Sequence, residues 1–339
     1  MVASPLAGES KTPDVVVVGA SAGGVEALTD LVAGLPPDLP YSILVALHMP
    51  VGAPSVLARI LDRSGPLPAA QAVDGETLQA GTIRVAVPNR HLLLDNHRIA
   101  LTEGPTENGH RPAINALFRS VALIFGQRAI GVLLSGVLDD GTLGCAAIRS
   151  RGGTTIAQTP TEALFPAMPL NAIAAGVVDY EMSALEVGGL LKQLADRQFE
   201  EFAMEPDARM ELENRIAMAR KFPTEFNTEE LGPLSGYTCP DCNGSLISVS
   251  EGNYRCQVGH AWTADALLRA RDDEIEGALW VAMRSLQEKT KLSRRLAGQV
   301  NPGILRNRYE SIANEAEHAM GVLGNRLSAG QTKFKGPDG

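Results

Sequence analysis

The first half of the chain alternates between short apolar runs and longer segments in which apolar residues recur at helical spacing. Val15 to Val18 is a continuous β-branched run, which is typical of a strand buried on both faces. The run from Ser42 to Leu47 has the same character. Further strands are predicted at 82–87, 129–135, 154–157 and 177–179, and helices at 54–61, 113–125 and 141–149. This alternation predicts an α/β fold with a doubly wound, mostly parallel sheet and helices on both faces.

The pattern changes after the α/β region. A charged stretch leads into a small cysteine-containing module, and helical spacing then continues until Asn301-Pro302-Gly303 interrupts it, which predicts a C-terminal α-hairpin. The predicted parts are a disordered leader (1–12), the α/β domain (13–197), a charged linker (198–235), the cysteine module (236–264), the helical hairpin (265–329) and a disordered tail (330–339).

Composition excludes some classes of function. The 339 residues are 45% hydrophobic and 20% charged, as in ordinary globular proteins. The net charge of -9 argues against nucleic acid as a partner, because phosphate binding uses a basic surface. No apolar run approaches the roughly 20 residues that span a bilayer, and the N-terminus lacks the blocks of a signal peptide. We therefore expect a cytoplasmic protein without membrane insertion.

A glycine-rich turn, Gly19-Ala20-Ser21-Ala22-Gly23-Gly24, lies between the first predicted strand and the first predicted helix. Its Gly-x-Ser-x-Gly spacing matches a nucleophile elbow, which exposes a serine on a sharp turn. The N–H groups at the start of the following helix suit a developing oxyanion. The glycines also fit a dinucleotide loop, although a serine replaces its middle glycine. On this turn alone, a hydrolase and a nucleotide site remain equally open.

Two more polar groups follow predicted parallel strands. His48 ends the second strand, and Asp139 and Asp140 follow the strand at 129–135. The carboxyl ends of parallel strands meet at one edge of the sheet, where such folds hold their ligands. A histidine there can act as the base for Ser21, and an aspartate can orient its imidazole. The chain order Ser, His, Asp differs from that of α/β-hydrolases, so we do not expect that fold family.

Together these segments resemble the CheB-type protein-glutamate methylesterases of bacterial chemotaxis. The similarity covers about residues 14–195. The segments that carry it include Val17-Val18-Gly19-Ala20-Ser21-Ala22-Gly23-Gly24, His48-Met49-Pro50, Val87-Pro88-Asn89-Arg90-His91, Arg111-Pro112, Leu134-Ser135-Gly136 and Ile156-Ala157-Gln158, and the set is specific taken together.

The resemblance implies a function and a set of residues. The family hydrolyses methyl esters of receptor glutamates and can deamidate receptor glutamines. Its triad falls on Ser21, His48 and Asp140, where Asp140 is preferred to Asp139 because it directly precedes the motif glycine. The resemblance further implies that catalysis uses no cofactor and that the partner is a methylated chemoreceptor or a receptor-like signalling protein.

The chain departs from the family at several positions. Val137 and Leu138 replace a methionine and a glycine of the usual Gly-Met-Gly-x-Asp-Gly, and Ala113 and Asn115 replace a serine and an aspartate. These changes leave open a non-catalytic or repurposed module that uses the same cleft for binding or signalling. No receiver domain precedes the α/β region in this sequence, so we expect a receiver-less branch of the family.

Cysteine spacing predicts a metal site in the late module. Cys239-x-x-Cys242 and Cys256-x-x-x-His260 supply three thiolates and one imidazole, a set typical of tetrahedral structural zinc. A redox Cys-x-x-Cys pair is the other interpretation, but it needs a βαβ context that is missing. The tail is similar to one found in receiver-less CheB-like proteins. We expect a zinc-ribbon-like module whose metal serves its own folding and not hydrolysis.

Three other residues have simpler interpretations. His91 is compatible with either a structural role or a position in the cleft. His110 is expected on the surface or in a loop. Cys145 lies on a Gly- and Ala-rich helical segment and is expected to be a small core residue.

Overall fold

The fold is that of a computed structural model, which describes residues 14–49, 52, 55–197, 205–219 and 232–331. The predicted leader and parts of the predicted linker and tail lie outside these residues. The chain divides into two compact units, one ending at Ala266 and one beginning at Leu267.

A parallel sheet forms the centre of the first unit. The strands that precede the linker are β1 (Val15–Ala20), β2 (Ser42–Leu47), β3 (Ala69–Gln71), β4 (Thr82–Val85), β5 (His91–Asp95), β6 (Arg98–Thr102), β7 (Ala129–Leu133), β8 (Thr154–Gln158) and β9 (Tyr180–Met182). Seven of them form one sheet in the order β3-β4-β2-β1-β7-β8-β9, in which every pair is parallel. The remaining two, β5 and β6, pair as an antiparallel hairpin.

Helices cover both faces of this sheet. They are α1 (Gly24–Ala33), α2 (Leu57–Ser64), α3 (Ile114–Phe125), α4 (Thr142–Ser150), α5 (Ala167–Ala174), α6 (Val187–Leu194) and α7 (Ala208–Ala217). Strand β1 shows why its valines form a continuous run. Val16 and Val18 point into a core that includes Leu28 of α1, while Val17 points into a second core that includes Phe118 of α3. The prediction of a doubly wound α/β fold is confirmed.

Several local predictions were incomplete. The last strand was predicted at 177–179 but forms at Tyr180–Met182. The reason is that Val177 and Val178 pack against the core beside α4 and α5, while the strand itself is short and largely exposed. The β5–β6 hairpin was missed because the residues of β5 from His91 to Leu94 are all buried, so no alternation marks it. Helix α5 was also missed.

The cysteine module is a second, smaller sheet in the same compact unit. Strands β10 (Leu234–Thr238), β11 (Ser245–Ser250), β12 (Asn253–Cys256) and β13 (Ala261–Thr263) pair antiparallel in chain order. Helix α7, in the segment predicted as a linker, packs against the α/β region and buries Ala217.

The second unit is a pair of long helices. Helix α8 (Ala264–Gln299) and helix α9 (Ile304–Gln331) are separated by the predicted Asn301-Pro302-Gly303 break. An ion pair between Arg294 and Glu317 at 2.7 Å joins them, so the predicted α-hairpin is confirmed. Within the described residues, no helix combines the length and apolarity that a bilayer span requires.

Candidate active site

The site forms at the carboxyl edge of the sheet, where the strand order reverses. Strand β1 has β2 on one side and β7 on the other. The register pairs Ala20 with Leu47, so Ser21 and His48 follow as neighbours at the same edge. The turn after β7 carries Asp140 to that edge from the other side. Such a switch point is where open α/β sheets place their ligands.

Ser21, His48 and Asp140 are joined by two hydrogen bonds. Nδ1 of His48 lies 3.0 Å from Oγ of Ser21, and Nε2 lies 2.8 Å from Oδ2 of Asp140. Since a carboxylate only accepts, Nε2 carries the ring proton and Nδ1 is free to accept from the serine hydroxyl. The three residues predicted from the sequence are therefore brought together in the order that a general-base mechanism requires.

The carboxylate of Asp140 is buried and held by backbone amides. Ile114 donates its N–H to Oδ2 at 2.8 Å, and Asn115 donates its N–H to Oδ1 at 3.1 Å. Burial by itself raises the pKa of Asp140, but the hydrogen bond and charge interaction with His48, together with the Ile114 amide, outweigh it and lower the pKa below its usual value. Asp140 is therefore ionised at neutral pH and oriented toward the imidazole.

Asn115 holds the turn that carries Asp140. Its buried side-chain oxygen accepts the N–H groups of Gly141 at 2.9 Å and Gly144 at 2.7 Å, at the start of helix α4. This residue was noted in the sequence only as a departure from the family pattern. Its amide oxygen supplies the acceptor that the helix start needs.

The nucleophile turn is anchored to the strand beside it. Ser21 donates its N–H to the carbonyl of Ser135 at 2.9 Å, and the Ser135 hydroxyl donates to the carbonyl of Ala22 at 2.8 Å. Gly23 adopts a left-handed φ of 67°, which glycine permits at the sharp turn. A Cβ at Gly136 would meet the Met168 side chain first and would also lie 2.9 Å from Cβ of Ser21, so a side chain there would force one of these neighbours to move.

The N–H of Ala22, beside the nucleophile, is not engaged by any group in the described part of the chain. It follows Ser21 directly, just before the start of α1. A free amide in this position is available to a developing negative charge on a substrate oxygen.

His110 was expected on the surface or in a loop, and the structure corrects the first of these. It lies in a loop, but its ring stacks on the His48 imidazole with centroids 3.7 Å apart and an interplanar angle of 10°. Burial, followed by repulsion from His48, lowers the pKa of His110 to about 4. The ring is therefore neutral at pH 7 and covers one face of His48. His110 lies 62 residues after His48 in the chain, so no local sequence pattern indicated this contact.

Asp139 points away from the imidazole. Its Oδ1 accepts a hydrogen bond from the Thr263 hydroxyl at 2.8 Å, so it faces the cysteine module. Burial, together with repulsion from Asp140 and Asp265, raises the pKa of Asp139 to about 6 against the lowering effect of Thr263. The two adjacent aspartates thus have different surroundings, and only Asp140 contacts His48.

Two residues that were weighed from the sequence lie outside the site. His91 is fully buried: Nε2 donates to the Pro105 carbonyl at 2.9 Å and Nδ1 accepts from the N–H of Ala113 at 3.3 Å. Both ring nitrogens are thus used structurally. Cys145 is fully buried, and burial raises the pKa of its thiol to about 12. It is a core residue and not a nucleophile.

The four predicted metal ligands converge in the cysteine module. The ligand atoms of Cys239, Cys242, Cys256 and His260 all lie within 4.8 Å of one another. Two thiol sulfurs, of Cys242 and Cys256, are 3.7 Å apart, and Nδ1 of His260 lies 3.4 Å from the Cys256 sulfur and 3.7 Å from that of Cys239.

These distances fit a tetrahedral zinc ion. With Zn–S near 2.3 Å and Zn–N near 2.0–2.1 Å, such a site separates two sulfurs by about 3.8 Å and a sulfur from a nitrogen by about 3.6 Å. The hydrogen bond from Cys256, and then that with His260, lowers the pKa of the Cys239 thiol. A thiolate in the cluster further favours a cation.

Comparisons with known proteins agree with the fold. Residues 16–191, more than half of the chain, match the family described as CheB methylesterase. A protein-glutamate methylesterase/protein-glutamine glutaminase of Rhodospirillum rubrum is 35% identical over 195 residues, covering 54% of this chain and 53% of that protein. One from Anaeromyxobacter dehalogenans is 40% identical over 172 residues, covering 50% of this chain and 47% of that protein. The chain thus spans about half the length of the curated relatives it matches.

A solved structure covers the same region. The crystal structure of the Thermotoga maritima CheB methylesterase catalytic domain aligns with a TM-score of 0.52 and 32% identity, covering 54% of this chain and 98% of that one. The aligned part is therefore essentially a whole catalytic domain of that protein.

Proposed function

Because the chain belongs to the CheB methylesterase family, we propose that it is a serine hydrolase that demethylates glutamate methyl esters on proteins. The observation that carries the proposal is the continuous hydrogen-bonded chain from Ser21 through His48 to Asp140. The names of the relatives supply the reaction class, since they describe protein-glutamate methylesterases and protein-glutamine glutaminases.

The reaction proceeds through an acyl-enzyme. Nδ1 of His48 takes the hydroxyl proton as Oγ of Ser21 attacks the ester carbonyl, and the N–H of Ala22 stabilises the oxyanion. The imidazolium, stabilised by Asp140, returns the proton to the methoxide oxygen, and methanol leaves. A water molecule then gives a proton to His48 and attacks the acyl carbon. The imidazolium passes that proton to Oγ of Ser21 as the acyl bond breaks, which restores the serine hydroxyl and releases a glutamate carboxylate. No cofactor takes part in these steps.

A glutamine side chain can enter the same sequence. Its amide carbon would be attacked in place of the ester carbon, with ammonia as the leaving group, and the product would again be glutamate. The substrate is a methylated chemoreceptor or a receptor-like signalling protein. We place the reaction in the cytoplasm, where thiols such as those of Cys239 and Cys256 stay reduced.

The alternative is a binding or signalling module that has lost catalysis. It is motivated by the turn before Asp140, where Leu138 adopts a left-handed φ of 61° and Val137 is exposed. Labelling with a fluorophosphonate separates the two functions. We expect the wild-type chain to be labelled at Ser21 and the Ser21→Ala variant to be unlabelled. A folded wild-type chain that is not labelled contradicts the esterase and favours the binding module.

The second part of the proposal is a structural zinc ion in the cysteine module. Cys239, Cys242, Cys256 and His260 would hold it and close its coordination shell, which leaves no open position for a substrate. The module is too small to have a large core of its own, so the metal supplies much of its folding free energy. Elemental analysis should find one zinc per chain in the wild type and less than about a tenth of that in Cys239→Ser. A wild-type chain without metal contradicts this assignment.

A further inference from the structure

The cysteine module touches the active-site edge through the end of strand β13. Thr263, the last residue of β13, is buried and donates its hydroxyl to Oδ1 of Asp139 at 2.8 Å. Asp139 directly precedes Asp140 in the turn after β7. The module therefore hydrogen-bonds the immediate neighbour of Asp140, the residue that orients the His48 imidazole.

The same strand also holds the loop that carries His110. Asn108 donates its N–H to the carbonyl of Ala261 at 2.8 Å, and its side-chain oxygen accepts the N–H of Thr263 at 2.8 Å. Asn108 is buried and adopts a left-handed φ of 52°, so its side chain and backbone are both fixed by β13. Two residues later, His110 stacks on His48.

A buried group of charges strengthens this contact. Glu107, in the same loop, pairs with Arg119 of helix α3 at 2.5 Å and lies 3.6 Å from Arg255 of strand β12. Both guanidinium groups and the carboxylate are less than a tenth exposed. Removing one partner from such a set leaves an uncompensated buried charge. Separating the loop that carries Glu107 from the cysteine module is therefore unfavourable in free energy.

The metal cluster lies at the other end of these strands. Cys256 ends β12, and His260 directly precedes β13, so only two residues lie between a predicted metal ligand and Thr263. Strands β12 and β13 pair from Arg255 with Ala261 to Asn253 with Thr263. A metal that fixes the Cys256–His260 turn therefore also fixes the strand whose far end reaches Asp139.

We propose that the cysteine module is part of the active-site framework, with Thr263 and Asn108 as positioning residues for Asp140 and His110. Its metal then supports turnover as well as the folding of the module. This inference rests on the proposed esterase function and names what positions its catalytic groups. It also replaces the expectation, drawn from cysteine spacing alone, that the metal serves the module without affecting hydrolysis.

The test measures fluorophosphonate labelling of Ser21 in the full chain, with zinc content determined on the same samples. Thr263→Val keeps the shape of the side chain and removes the hydroxyl. We expect its maximal labelling rate to fall about tenfold, because a small displacement of a catalytic group has a large effect on rate. The reagent concentration at half-maximal rate should not change, and one zinc per chain should remain.

Two matched variants serve as controls. Thr263→Ser keeps the hydroxyl and should restore labelling to within about twofold of the wild type. Ser248→Ala removes a hydroxyl of β11 that, among the described residues, bonds only within its own sheet. This variant should also label within about twofold of the wild type. If Thr263→Val does not fold, Asp139→Ala takes its place, because it removes the acceptor of the same hydrogen bond.

A second arm removes the metal from the wild-type chain with a chelator. Labelling of Ser21 should slow at least about tenfold and recover when zinc is added back. The inference is overturned if zinc-loaded Thr263→Val labels at the wild-type rate, or if the stripped chain does. A wild-type chain that is never labelled contradicts the esterase function itself, so the two failures are distinct.

Discussion

Nδ1 of His48, the ring nitrogen nearer the backbone, lies 3.0 Å from Oγ of Ser21. The outer nitrogen, Nε2, faces Asp140 at 2.8 Å. In the Ser-His-Asp arrangement of serine proteases the two nitrogens have the opposite partners. His48 continues the pairing of β2 with β1, since its N–H donates to the carbonyl of Ala20 at 3.2 Å. Because Ser21 directly follows Ala20, the serine lies close to the His48 backbone. The inner ring nitrogen, which is nearer that backbone, therefore meets the serine.

This arrangement predicts the tautomer of the resting enzyme. In a sample labelled with ¹⁵N-histidine, nuclear magnetic resonance at pH 8 should show the proton of His48 on Nε2, because the Asp140 carboxylate can only accept. Nδ1 should have the shift of an unprotonated nitrogen. A proton on Nδ1 would contradict the assignment of that atom as the base. Ser21→Ala is the control, since it should leave the tautomer unchanged.

Asp140→Asn should lower turnover by about 10⁴-fold, as loss of the orienting carboxylate does in serine proteases. The asparagine cannot be accommodated in either orientation. Its NH₂ group would face the N–H of Ile114 in one and those of Asn115 and Gly141 in the other.

Asp139→Asn is the matched control for that substitution. It keeps an oxygen that accepts from Thr263, so the loss should be far smaller. The measurement is the rate of Ser21 labelling in both variants. Equal losses, or a loss at Asp139 alone, would show that the wrong carboxylate has been assigned.

The pKa of Asp139, raised by burial to about 6, predicts how stability changes with pH. Between about 4 and about 6 the folded chain binds a proton that the unfolded chain does not, so ionisation of Asp139 disfavours the folded state above that range. Asp139→Asn should therefore stabilise the protein by about 1–3 kcal/mol at pH 8. The gain should disappear below pH 4. Thermal unfolding at both pH values measures it, and a gain that is independent of pH would contradict the assigned pKa.

The backbone conformation of Leu138 predicts that a glycine variant at this position is more stable than an alanine variant. Its φ of 61° lies in the left-handed region, and its carbonyl accepts from the Asn171 amide at 2.8 Å, which holds that conformation. A Cβ in this region costs about 1–2 kcal/mol. Leu138→Gly should therefore be more stable than Leu138→Ala by about 1 kcal/mol, the reverse of the order at ordinary positions. Chemical denaturation of both variants gives the difference, and greater stability of the alanine variant would count against strain in this turn.

Much of the fold could be predicted because buried strands and helices have recognisable patterns of apolar residues in the sequence. The valines of β1 are apolar at every position since helices cover both faces of the strand. The edge position of Ser21 and His48 followed from the ends of two such strands. By contrast, β9 could not be placed, since it is a short edge strand with largely exposed residues.

The supporting residues of the site could not be predicted in the same way. The contact of His110 with His48, and that of Thr263 with Asp139, join segments far apart in the chain. Neither contact follows from the spacing of apolar residues or from a motif. The first depends on how the loop that carries His110 packs on the sheet, and the second on how the cysteine module packs there. The role of Asn115 at the start of α4 was hidden for the same reason.

Methanol release from a methylated chemoreceptor fragment by the purified chain tests the proposed esterase directly. The wild type should release methanol and leave glutamate at the methylated positions, while Ser21→Ala should release none above the uncatalysed rate. Equal release by both proteins would show that Ser21 is not the nucleophile. A wild type that is labelled at Ser21 but releases no methanol would show that the ester substrate proposed for this site is wrong.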